Sequence, residues 1–403
     1  MTKKDVLELK RRLKKDKCTF TKMCGCYVDI NKNKVLTFSE TFLNLEEEEL
    51  FKYLDIAKKT LSGTVGNNIL ELKFEQSEET SEGKRGLFMA LKDSGLKNDD
   101  ILNMFYDVII DTYETEKNYL ILLFKDAYDV ITKTTDNNAL DESETVFDYI
   151  LCAICPVDVT KAGLSYIESE NRIGARFRDK IVGMPDTGFI FPAFSDRSTD
   201  IHSVMYYTKN PKDPKPDFMV SALGCNEEKT STQQKNMLKD IVSHALGGDD
   251  EETEDIFMEI QESINAVVEE NTNIYNKEEI TLTADNIADI VCDIDIPKET
   301  AEKIENIYRA EFGDKAPLAE NLIDSKTLAL AEKRRNEKAL QNQVVNLTKK
   351  LEEIRTEEKE NSLVIKTAHK KDVKTDVING IKYVMIPIEE NETISINGET
   401  KEI

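Results

Sequence analysis

The chain lacks tryptophan altogether, and its 403 residues include only three histidines, His202, His244 and His369. None of these sits in an HExxH pattern, which excludes the familiar helical zinc-protease arrangement. Phosphate-binding GxxxxGK, dinucleotide-binding GxGxxG and nucleophile-elbow GxSxG signatures are absent too. Nor does any apolar run approach the roughly 18 residues that a membrane-spanning helix requires. The opening "MTKKDVLELKRRLKKDK" has no apolar stretch or small-residue cleavage site of a secretory signal, so a cytoplasmic location is expected, with no membrane association. Positive charge is outnumbered, with 54 Lys and Arg against 78 Asp and Glu. The net charge of −24 disfavours broad contact with phosphate backbones or anionic lipid.

One local exception stands at the start. Between Met1 and Lys22 there are nine Lys or Arg against three Asp or Glu, with Val6, Leu9 and Leu13 at helical spacing. This reads as a basic amphipathic helix. It either docks its apolar stripe on an acidic body or meets phosphate or a membrane surface.

The segments that follow mix strands and helices in clusters, without strict alternation. "CGCYVDI" and "VLTFSETF" form an expected hairpin. Asn44, with Glu47 three residues on, reads as a capping box opening a helix with Leu50, Phe51, Leu54, Ala57 and Leu61 on one side. "NILELKF" alternates, placing Leu70, Leu72 and Phe74 on one face. A helix over "NDDILNMFYDVIIDTY", buried strands "NYLILLF" and "DYILCAICPV", two further strands and a helix near Gln233–Leu246 follow. The expected class is α+β, a mostly antiparallel sheet with flanking helices over residues 1–246. "GGDDEETED" then reads as a boundary. A helical region spans 256–325, with Thr283 or Asp285 capping a helix to Cys292 and Pro297 in the first turn of another.

Residues 326–360 are rich in Ala, Leu, Glu, Lys, Arg and Gln. Leu340, Val344, Leu347, Leu351 and Ile354 step by four, three, four and three, a heptad seam. It either packs on its own chain or pairs in a dimer. Residues 361–403 form a small β unit in which Asn379-Gly380, between apolar flanks, marks a tight hairpin.

Seven cysteines remain to be placed. Cys24 and Cys26 share a strand face with Val28 and Ile30, whereas Cys152 and Cys155 point to opposite faces if "CAIC" is a strand. Were "DESE" at 141–144 a helix cap, the second pair would share a face. The aliphatic neighbours favour buried core filling, with no metal and no cofactor. The best polar constellation is Asp196, Arg197, Asp200 and His202, joined by Arg172 and Arg176 upstream. A carboxylate pair with His could hold a metal or move a proton, and the arginines could clamp an anion. The plainer account is a loop sealed by its own hydrogen bonds.

The strings "CTFTKMCGCYVDINKNKVLTF", "YILCAICPV" and "PDTGFIFPAFSDRSTDIHSVMYYTKNP" resemble the bacterial family catalogued as domain of unknown function 4317. The resemblance covers most of the first 245 residues and the hairpin around "DVINGIKYVMIPI", leaving 326–360 as a variable helical insert. It implies a cytoplasmic bacterial protein and brings no activity or catalytic residue. The leading expectation is a non-catalytic binding or adaptor protein acting through protein contacts or self-association. A metal-assisted hydrolase at Asp196–His202 and a nucleic-acid-associated protein using the basic helix are the alternatives.

Overall fold

The computed structural model describes residues 1–133, 139–176, 178–248, 251–273, 276–277, 280–294, 296–313, 315–361, 365–366, 373–388, 393–396 and 398–402. They form two compact units, Met1–Asp324 and Ser325–Ile403.

The first unit begins with α1 (Lys3–Arg12), closed by a capping box between Thr2 and Asp5. Val6, Leu9 and Leu13 are buried, so the apolar stripe does dock. β1 (Lys22–Val28) and β2 (Lys34–Thr41) pair antiparallel. Their turn is shaped by Asp29, whose carboxylate accepts the N–H groups of Asn31 and Asn33. α2 (Glu47–Lys59) starts later than the Asn44 signal implied. Phe42–Asn44 forms a short 3-10 turn, and Glu46 caps the helix without a side-chain bond. Phe42 is fully buried, and its anchoring delays the start of the helix. Of the expected stripe, Leu50, Leu54, Ala57 and Leu61 are buried while Phe51 is exposed.

β3 (Ile69–Lys73), α3 (Lys84–Asp93) and α4 (Asp99–Thr112) follow, the last capped by the Asn98 side chain. The longest strands are β4 (Asn118–Lys133) and β5 (Ala139–Val159). Residues 141–144 lie in β5, so no helix begins there. A small hairpin of β6 (Gly163–Ile167) and β7 (Arg172–Arg176) stands apart from the main sheet. β8 (Lys180–Val182), β9 (Thr187–Phe191), β10 (Ala193–Ser195), β11 (Ser198–Asp200), β12 (Ser203–Thr208) and α5 (Pro216–Ser221) complete this part.

The eight-stranded sheet runs β2-β1-β4-β5-β9-β12-β3, with β8 paired to β5, and the paired strands are antiparallel. Period-two alternation gives it two buried faces. One packs Phe88 and Leu91 of α3, Phe105 and Ile109 of α4 and Phe218 of α5. The other packs α1, α2 and the β10–β11 hairpin. Cys24, Cys26 and Cys152 belong to the first face and Cys155 to the second. The parity argument for the cysteines therefore holds, because "CAIC" is a strand, but the apolar row ends at Val28: Ile30 lies beyond β1 in the turn and is exposed.

A third core is wholly helical. It joins α6 (Ser231–Leu246), α7 (Glu251–Asn271), α8 (Ala284–Cys292), α9 (Lys298–Phe312) and α10 (Ala319–Leu322). α6 buries Leu238, Ile241 and Val242 in this helical core. Capping boxes at Thr230/Gln233 and Thr283/Asn286 fix two of the starts. Pro297 is the cap residue of α9 and not its first-turn residue.

The second unit contains α11 (Ser325–Asn361), 37 residues long, and short antiparallel strands. Lys374–Ile378 pairs with Ile381–Met385 across Asn379-Gly380, both at positive φ (55° and 81°). That is the backbone an Asn-Gly hairpin turn demands.

Candidate functional site

The sequence cluster around Asp196 occupies the β10–β11 hairpin and the turn before β12. Asp196 and Arg197 form its two-residue turn, with φ of 50° and 55°. Their backbone N–H groups both donate to Asp5 of α1, at 3.3 and 3.2 Å. Asp5 also accepts the Thr2 N–H and hydroxyl, each at 2.7 Å. It is only 2% exposed, so this carboxylate is a buried clip holding the hairpin tip to the N-terminal helix.

The side chains diverge from there. Arg197 donates through Nε and Nη2 to Glu8 Oε1 of α1, at 3.2 and 2.9 Å. His202 is exposed and meets Glu79 Oε1 through Nδ1 at 3.2 Å. Asp200 accepts the His202 backbone N–H at 2.9 Å, a local turn bond. Arg172 pairs with Glu170 on the separate β6–β7 hairpin, and the side chain of Arg176 lies outside the described residues. His202, Arg197 and Arg172 thus engage different carboxylates on different elements. Among the described residues, no group of three or more His, Cys, Asp or Glu side chains is arranged to hold a metal ion.

The basic N-terminal segment is tied down by several of its own cations. Lys10 donates to Ser62 at 2.8 Å, and Lys15 pairs with Glu47 at 2.6 Å. The Arg12 guanidinium lies 3.8 Å from the centroid of the Tyr128 ring and donates to Thr19. The Tyr128 hydroxyl donates to Glu8 at 2.5 Å. From Thr19 the chain of bonds continues to Asp126 (2.6 Å), which also accepts the Tyr149 hydroxyl (2.6 Å). Burial, then the Asp126 charge, pushes the Tyr149 phenol well above its ordinary range. This network ties α1 to β4 and β5.

Sequence reading missed Lys125 and Asp126, buried charges on β4 at 8% and 1% exposure. The strand was read as ending at Phe124, yet Tyr128 and Val130 continue the same alternation into the Tyr149 face. Lys125 points to the opposite face, contacts Asp148 and lies near Lys92, which itself sits 3.5 Å from Asp148. Burial, then the Lys92 charge, brings the Lys125 ammonium down to about 8. The signal available was a Lys-Asp pair interrupting an otherwise apolar run.

Open surfaces among the described residues include a groove and a helix face. Helices α6 and α9 border a groove of about 460 Å³ lined by Met237, Asp240, Ile241, His244, Ile307 and Glu311. On α11, every residue from Arg335 to Arg355 is exposed. The five seam residues Leu340, Val344, Leu347, Leu351 and Ile354 are 52–61% exposed.

These features define an α+β protein with a two-faced antiparallel sheet, a helical core beside it and a long, solvated helix in a second unit. The chain belongs to the family described as "Domain of unknown function (DUF4317)", whose model matches residues 1–399. The matched span runs through α11 and into the C-terminal strands. No curated protein matches the chain.

Proposed function

We propose that this is a non-catalytic binding or adaptor protein of the cytoplasm, acting through protein–protein contacts made by the apolar seam of α11. The observation that carries this reading is the exposure of five large aliphatic side chains at four-three spacing along one face of α11. Scattered exposed apolar residues need no explanation, but a contiguous stripe marks a contact surface. Burying one such side chain in a partner contributes about 1.5–3 kcal/mol. The cytoplasmic assignment rests on seven free thiols and on the absence, among the described residues, of a helix long and apolar enough to cross a membrane.

The test is a double substitution, Leu347→Asp with Leu351→Asp, in the full chain. Loss of self-association by sedimentation, or of co-purifying partners, is the expected result. If both are unchanged, the seam has no binding role.

A further inference from the structure

We infer that the partner of the α11 seam is a second copy of this chain, aligned parallel and in register. The inference rests on the binding role proposed for the seam and adds the identity and geometry of its partner.

Numbering the period from the seam puts Val344 and Leu351 at a, and Leu340, Leu347 and Ile354 at d. The flanking seam positions are charged. Lys333 is the preceding d and Glu337 the preceding a, and they pair with each other along the helix at 3.7 Å. The next a position beyond Ile354 is Glu358 in the sequence. A parallel, in-register pair therefore stacks five apolar layers, each residue against its own copy. A shift by one heptad would set Leu340 against Lys333 and lose apolar layers at both ends. An antiparallel pair packs a against d, and its two best staggers keep only four apolar layers. One sets Ile354 against Glu337, the other Leu340 against Glu358. Since each apolar layer is worth more than an exposed charge contact, the parallel register wins.

The e and g positions favour an identical partner over a different one. Helices that demand a different partner carry blocks of like charge at e and g, which repel a second copy. Here Gln341, Gln343 and Thr348 beside the seam are neutral. Among the e and g positions the one repulsive contact in a parallel pair is Lys350 at g against Arg355 at e of the other copy, while Glu337 and Glu358 meet their own copies at the two ends of the apolar seam. Five layers of half-exposed aliphatic side chains remove on the order of 1,000 Å² from water, the lower bound for specific association. Pairing is thus concentration-dependent.

The experiment uses the full chain with Cys292→Ser, which removes the exposed thiol. Sedimentation equilibrium across a concentration series is expected to show a species of twice the 45.9 kDa chain mass. Lys350→Glu turns the repulsive contact attractive only in the parallel arrangement, and should tighten association about tenfold. Val345→Asp, equally exposed but off the seam, should leave it unchanged. A Leu347→Cys variant alone should cross-link to itself with a short bis-maleimide.

Three results would overturn the inference. Cross-linking only in mixtures of Leu347→Cys with Val344→Cys or Leu351→Cys would show an antiparallel pair. A mass of three or four chains would exclude the dimer. A monomer at all concentrations that still loses a co-purifying protein on Leu347→Asp/Leu351→Asp would show a different partner while leaving the binding role intact. If that double variant changes neither mass nor partners, the underlying reading itself has failed.

Discussion

The carboxylate of Asp5 accepts the backbone N–H of Arg197 at 3.2 Å, joining two residues 192 positions apart in the chain. The same carboxylate serves Asp196, Thr2 and the first turn of α1, so one buried acid organises both the helix start and the hairpin tip. Asp5→Ala leaves several N–H and O–H donors without their acceptor, and the expected cost is about 2–4 kcal/mol. Urea unfolding checks it. A loss below about 0.5 kcal/mol would mean that the hairpin is held by something else.

Arg11 and Arg12 are neighbours with opposite expectations. Arg11 is exposed, whereas Arg12 stacks on Tyr128 and bonds to Thr19. Arg12→Ala should destabilise the fold by about 1–2 kcal/mol, and Arg11→Ala by almost nothing. Thermal melts of the two variants decide the matter. Equal effects would show that the Arg12 stack contributes no stability.

Gly25 on β1 lies opposite Phe38 on the edge strand β2. A Cβ built on Gly25 would fall 2.2 Å from the ring of Phe38. Gly25→Ala therefore forces the ring aside, at an expected cost of about 1–3 kcal/mol. In a Phe38→Ala background the same change should cost much less. A double-mutant cycle measures the difference, and additivity would refute the close approach.

Thiol reactivity follows from burial. Cys292 is exposed, Cys18 is half-buried and the remaining five cysteines are buried. At pH 8 a small disulfide reagent should titrate one thiol rapidly in the native chain and seven after unfolding. Prompt reaction of Cys24 or Cys26 would contradict the packing.

Alkaline pH should weaken the fold through the same groups. Burial raises both Cys18 and Cys26 from 9.0 to about 11. Between those values the unfolded thiols ionise while the folded ones stay protonated. The raised groups therefore contribute fully below pH 9, and the contribution is lost as pH rises towards 11. Each tenfold difference is worth about 1.4 kcal/mol. Chemical denaturation at pH 8 and 10.5 should show a drop on the order of 2 kcal/mol or more. Cys26→Ala should lessen the drop, and an unchanged drop would assign it to other groups.

Much of the fold was legible in local pattern. The alternation of "NILELKF", the odd separation of Cys152 and Cys155 and the Asn379-Gly380 turn each gave the right geometry, because side-chain parity and turn chemistry are properties of adjacent residues. The start of α2 was not legible. Its position depends on Phe42 entering a core built from distant strands, which overrides the capping signal at Asn44. β4 was read short for the same reason. Lys125 and Asp126 look like a strand end until Asp148, Thr19 and Tyr149 arrive to satisfy them.

The sequence alone determined the class of elements, the inward aim of the Cys24, Cys26, Cys152 and Cys155 sulfurs and the seam on α11, since periodicity is written residue by residue. Only the tertiary structure decided what the Asp196–His202 cluster does. Residues close in sequence share a turn but not a target, and their side chains were drawn apart by Glu8 on one side and Glu79 on the other. That separation comes from long-range packing of α1 and the Glu75–Gly83 loop, which no local pattern encodes.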